Sequence, residues 1–203
     1  MQQTKYYRKH IFCIEGYWEH DRKKKTSVEK ALEFLELNSN FKKTCLHSST
    51  REELKEHIKE FKLKRSDEYS ILYFAFHGSS NSLHIGKRQK INLQDSAKEN
   101  LADIINGAAA GKIIHFGSCS TLAMDRKEIT KFRKDTGAVA ISGYNKDIPF
   151  IESTFLDMLF FDLCQEFKAP SAIDNHMKKN YRGLINRTGF KIYYEPIKRR
   201  KTV

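Results

Sequence analysis

Two residues able to do nucleophilic and acid–base chemistry stand at matching places in the chain. His77 follows the apolar run ILYFAF, and Cys119 follows KIIHFGS, 42 residues further on. A thiol near its unperturbed pKa of about 8.5 is mostly protonated at neutral pH. A neighbouring imidazole that takes the proton turns the thiol into an attacking nucleophile. The carbonyl so attacked becomes a tetrahedral oxyanion, which needs hydrogen-bond donors. Gly78 lets a substrate approach the backbone, and its N–H is one candidate donor. The N–H of Cys119 is the other.

The remaining histidines and cysteines offer less. His115 lies inside a strand-like run and reads as a core or face histidine. His84 lies in a hairpin-like segment and reads as structural, while His10, His20, His47, His57 and His176 show no partner pattern. The cysteines are Cys13, Cys45, Cys119 and Cys164, with no C-x-x-C pair and no spacing that suits zinc. Three sit in apolar runs and read as small core hydrophobes, Cys13 and Cys164 as buried and inert. Free thiols in a reducing cytoplasm are the expectation, with no metal and no cofactor.

Alternating elements must position the pair. Strand signals fall at Lys9–Gly16, Lys43–His47, Tyr69–Phe76, Lys112–Phe116, Gly137–Ser142 and Phe190–Ile197. Pro196 marks the last as an edge strand. Helix signals fall at Ser27–Leu37, after Thr50 with Glu53 at capping-box spacing, at Ser96–Asn106, at Asp125–Lys134, at Ile151–Phe167 and after Pro170. Leu83–Asp95 reads as a small hairpin around Gly-Lys-Arg. Tyr69–Phe76 is apolar on both faces, as a central strand covered on both sides should be. The order implies an α/β fold, a mostly parallel sheet with helices on both faces. In such sheets functional groups gather beyond the carboxyl ends of the strands, where His77 and Cys119 stand.

A strand ending in His-Gly, followed by a second ending in a small residue and Cys, resembles the signature of caspase-like cysteine peptidases. That group (clan CD) includes caspases, metacaspases, legumain, gingipains, separase and CHAT-domain proteases. The similarity is greatest to CHAT and separase-type domains, which also carry a hairpin like SLHIGKRQKINLQD, a cysteine segment like AAAGKIIHFGSCS and a strand with an acidic loop like GAVAISGYNKDIPFIESTF. It covers roughly Tyr69 to Phe161. The resemblance implies a three-layer caspase-like fold, His77 as base or orienting residue and Cys119 as nucleophile. It implies a protein or peptide substrate and control by a separate protein or ligand, as in bacterial defence or cell death. In separase-like members an Asp in the loop after the next strand receives a basic P1 side chain. Asp147 is the positional match and Glu152 the second candidate. Members often carry Trp where Tyr144 stands and a second acid where Ile148 stands. The caspase motif Gln-Ala-Cys is absent, so Asp specificity is not implied.

Composition bounds these readings. The 203 residues carry 37 Lys+Arg against 25 Asp+Glu, a net charge of +12, with 10 Gly and 3 Pro. The length fits one peptidase domain over 1–203. The 14 Phe, 9 Tyr and 1 Trp argue for a packed core rather than disorder. No apolar run reaches the roughly 20 residues needed to span a bilayer, and the first residues lack a signal-peptide core. A soluble cytoplasmic protein is the expectation. The charge keeps a second class open: an inactive fold acting as a basic module for nucleic acid or an acidic protein partner. No helix-turn-helix or aromatic-basic motif supports it, and the basic runs Arg22–Lys25 and Lys198–Lys201 read as solvated faces.

Overall fold

The structure, a computed structural model, describes residues 7–19, 26–39, 41–63, 69–86, 89–96 and 98–195. Both basic runs lie outside these residues. The elements in chain order are β1 (His10–Glu15), α1 (Glu29–Asn38), β2 (Lys43–His47), α2 (Arg51–Leu63), β3 (Tyr69–Ala75), β4 (His77–Ser79), β5 (Ser82–Ile85) and β6 (Gln89–Asn92). They continue with α3 (Leu101–Ile105), β7 (Ile113–Phe116), α4 (Arg126–Thr136), β8 (Ala140–Tyr144), α5 (Phe150–Glu166), α6 (Pro170–Asn180), α7 (Arg182–Thr188) and β9 (Phe190–Tyr194).

Six strands form one sheet in the order β2-β1-β3-β7-β8-β9. The first five are parallel, and β9 runs antiparallel to β8. Alternation along the strands sends Phe12, Ile14, Leu72, Phe74, Ile114 and Phe116 to one face, under α2, α3 and α4. Ile11, Cys13, Ile71, Tyr73 and Ile113 go to the other, under α1, α5, α6 and α7. The result is the expected three-layer α/β arrangement. No helix among the described residues is long and apolar enough to cross a membrane.

Local chemistry explains the boundaries. Glu53 Oε2 accepts from Thr50 N–H at 3.2 Å and Glu53 N–H donates to Thr50 Oγ1 at 3.1 Å, so the α2 capping box forms as the spacing predicts. Several boundaries differ from expectation. The helix expected over Ser96–Asn106 is shorter, because Asn100 and Asp103 cap each other reciprocally at 3.1 Å and start it at Leu101. The strand expected over Gly137–Ser142 begins at Ala140, because Gly137 closes α4 in a left-handed conformation with φ +74°. The single helix expected after Pro170 is two, α6 and α7, separated at Tyr181. The hairpin is three-stranded and begins at His77 itself, pairing His77 with His84 and His84 with Lys90.

Candidate active site

The strand order turns back on itself at β1, whose two neighbours are β2 and β3. Such a switch point opens a crevice beyond the carboxyl ends of the strands. His77 borders it just beyond β3, and Cys119 follows the next strand, β7. Each stands three residues beyond the register pair Phe74–Phe116, so the two leave adjacent parallel strands at the same height. The ladder runs one residue further, through Gly117 N–H to the Phe74 carbonyl at 3.0 Å. Beyond that His77 enters β4 and Cys119 enters a turn.

Gly78 sets how closely the two segments approach. A Cβ there would lie 2.8 Å from the Cys119 carbonyl oxygen and 2.8 Å from Ser118 Cβ, and would collide with Thr121 Oγ1. The requirement is for space. Gly117 is equally confined, since a Cβ there would lie 2.6 Å from the Tyr73 hydroxyl and 2.8 Å from Asp157 Oδ2.

His77 is exposed, and its Nε2 lies 2.7 Å from the Trp18 carbonyl. A carbonyl only accepts, so Nε2 carries the proton and donates it. With Nε2 as the donor, the other ring nitrogen is Nδ1, which has no hydrogen-bond partner among the described residues. The Trp18 ring packs edge-on against His77 at 5.2 Å and against Phe150 at 4.8 Å. Trp18 is held in turn by Glu15, fully buried at the end of β1. Glu15 Oε1 accepts from Trp18 Nε1 at 2.6 Å and from Val28 N–H at 2.7 Å, and Oε2 accepts from Ser27 Oγ at 2.6 Å. Three donors satisfy this buried carboxylate.

Cys119 is half-buried, and its Sγ donates to the Ile148 carbonyl at 3.2 Å. The Cys119 N–H makes no hydrogen bond to the described residues, so it is available to an incoming group. The turn is anchored on the loop after β8: Ser120 N–H donates to the Lys146 carbonyl at 3.0 Å and Ser120 Oγ to Asp147 Oδ1 at 2.6 Å. Ser120 holds a left-handed φ of +50°, uncommon for a residue with a side chain.

The two substrate-binding candidates differ. Asp147 is exposed beside the cysteine turn, with one carboxylate oxygen bonded to Ser120. Glu152 is half-buried on α5 and forms an ion pair with Arg187 of α7. Its charge is already partnered. Ile148 is buried and contributes its carbonyl to Cys119 in place of an acid side chain.

A buried polar cluster backs the cysteine segment. Asp157 of α5 receives the Tyr73 hydroxyl at 2.7 Å on Oδ2 and the Tyr144 hydroxyl at 2.5 Å on Oδ1. His115 Nε2 lies 2.8 Å from Asp157 Oδ1, and its Nδ1 lies 2.8 Å from Ser142 Oγ. His115 and Tyr144 are fully buried, so His115 is a core histidine as expected. Burial first, and the Asp157 charge second, push the Tyr73 and Tyr144 hydroxyls well above the usual phenol range.

Cys13 and Cys164 are buried and poor nucleophiles. Burial, reinforced by Cys45, pushes Cys13 well up, and burial pushes Cys164 up to about 12. His84 is held below its ordinary value by burial, then by Lys90 and His77, and its Nε2 meets Ser79 Oγ at 2.9 Å. Among the described residues no group of three His, Cys, Asp or Glu is arranged to hold a metal ion.

Trp18 and Asp157 are the contributors that spacing alone did not single out. The available signal for Trp18 was a lone tryptophan two residues after Gly16, at the carboxyl end of a buried strand. Asp157 had a signal too, as an acid within an otherwise apolar helix.

No curated protein matches the chain at a significant level. Residues 8–194 match the model of a family of unknown function (DUF6642), so every element of the fold and both candidate reactive residues lie within the matched span, and the chain belongs to that family.

Proposed function

We propose that the protein is a cysteine endopeptidase of caspase-like architecture, with Cys119 as nucleophile and His77 as base. The observation that carries this reading is the tautomer of His77. Its Nε2–H is committed to the Trp18 carbonyl at 2.7 Å, which leaves Nδ1 to take a proton, on the strand next to that of Cys119.

In the first step the Cys119 thiol gives its proton to His77 Nδ1, and the sulfur forms a bond to the substrate carbonyl carbon. The carbonyl electrons move to oxygen, and the N–H groups of Cys119 and Gly78 are the proposed donors to that oxyanion. The imidazolium then protonates the leaving amine as the C–N bond breaks. Water, deprotonated by His77, attacks the thioester and releases the acid and the free thiol. Asp147 is the proposed acid for a basic P1 side chain, with Glu152 set aside by its pairing to Arg187. A regulated protease in bacterial defence or cell-death signalling is the setting that suits this chemistry.

The test is cleavage of a peptide panel by the purified chain and by Cys119→Ala. Loss of cleavage with an unchanged thermal midpoint supports the proposal. Cleavage retained by Cys119→Ala refutes it.

A further inference from the structure

A sizeable cavity lies away from His77 and Cys119. It is a groove of about 890 Å³ at the β9 edge of the sheet. Consecutive residues from Phe190 to Glu195 line it, so both faces of β9 contribute and its floor is the strand's edge. Residues of α4 form one wall, and residues of α6 and α7 form the other. Among the described residues β8 is the sole strand neighbour of β9, so the outer backbone N–H and C=O groups of β9 have no strand partner there.

The lining is strongly cationic. Of its six cations, Arg133 is paired with Glu195 at 3.1 Å and Lys178 with Asp174 at 2.6 Å. Arg126, Lys134, Arg182 and Lys191 have no acidic partner among the described residues. They account for an excess of positive charge at one place, on both walls and on the floor.

We propose that this groove docks an acidic, extended segment of a partner protein, which adds to β9 as a further strand. A polypeptide in extended form supplies both donors and acceptors at the spacing of the β9 edge. Its carboxylates meet the four unpaired cations. A second copy of this chain is disfavoured, because edge-to-edge pairing would set the same cations against each other. Nucleic acid is disfavoured too. Phosphodiesters offer acceptors to the cations but nothing to donate to the β9 carbonyls. The tyrosines are also poorly placed as stacking platforms, since Tyr194 is bonded to Asp174 at 3.0 Å and Tyr193 is half-buried.

The experiment measures fluorescence anisotropy of a labelled decapeptide of alternating Glu and Val against the full chain. The expected result is saturable binding that weakens with salt and is unchanged in Cys119→Ala, so its outcome is separate from that of the peptidase reading. Arg182→Glu combined with Lys191→Glu should weaken binding by about tenfold or more. Two further peptides, N-methylated on every Glu or on every Val, need no protein variant. One of them should lose binding and the other should keep it, because alternate residues face the β9 edge. Equal binding by both methylated peptides overturns the proposal, as does absence of binding by the parent peptide. Tighter binding of a thymidine 20-mer than of the parent peptide at the same salt also overturns it.

Discussion

The Nε2 of His77 donates to the carbonyl of Trp18 at 2.7 Å, and the Trp18 ring packs against the same imidazole at 5.2 Å. One residue thus fixes both the tautomer and the orientation of the proposed base. The order of causes runs from Glu15 at the end of β1, through Trp18, to His77 at the end of β3.

Removing the Trp18 ring tests this order. Trp18→Ala keeps the carbonyl but deletes the packing against His77 and Phe150. With the base less well held, kcat should fall by about 10–100-fold with little change in KM. Trp18→Phe keeps much of the packing and should restore most of the rate. Steady-state kinetics of the two variants check it, and equal rates for Ala and Phe would speak against orientation by the ring.

Crowding at Gly78 and Gly117 gives a second prediction. Gly78→Ala drives a methyl into the Cys119 turn, and Gly117→Ala drives one into the Tyr73 hydroxyl and the Asp157 carboxylate. Each should lower stability by about 1–3 kcal/mol, read from urea unfolding. Gly78→Ala should also reduce cleavage beyond what its stability loss explains, since it moves the turn that carries Cys119.

Stability should fall at alkaline pH. Tyr73, Tyr144, Cys13 and Cys164 all have folded-state pKa values raised by burial. A raised pKa means that the folded chain holds its proton where the unfolded chain releases it. The contribution is therefore complete below the unfolded values of about 9–10 and is lost as pH rises above them. Urea midpoints from pH 7 to 11 should be level at first and then decline. Tyr73→Phe should flatten that decline.

Asp147 and Glu152 are separable by substitution. Asp147→Asn should lower kcat/KM for an Arg-P1 peptide on the order of tenfold, a modest effect because the carboxylate is exposed. Glu152→Gln should leave the P1 preference intact and instead release Arg187. A peptide library comparing Arg, Lys and uncharged P1 residues reads both. A larger loss of basic preference in Glu152→Gln than in Asp147→Asn would reverse the assignment.

Much of this molecule was legible in its residues. The continuous apolar run at Tyr69–Phe76 announced a strand buried on both faces, and β3 lies between β1 and β7. The placement of His77 and Cys119 just beyond the carboxyl ends of adjacent parallel strands also followed from the two apolar runs that precede them. Less legible were features fixed by tertiary contact. The short run His77–Ser79 became a strand only because Leu83 and Ile91 anchor the hairpin in the core. The break at Tyr181 carries no proline or glycine at that position. Trp18 sets the His77 tautomer through its backbone carbonyl, a group that every residue possesses, so only its ring, that of the lone tryptophan, left a mark in the sequence. Asp157 gains meaning only from strands 84 and 42 residues earlier, which bring Tyr73 and His115 to it.

The most direct measurement is covalent labelling by a peptidyl acyloxymethyl ketone with Arg at P1, located by mass spectrometry. Cys119 should be modified ahead of Cys13, Cys45 and Cys164, and the modification should be lost in His77→Ala while the fold is kept. Failure of Cys119 to react, or equal reaction in His77→Ala, would contradict the proposed pairing of the two residues.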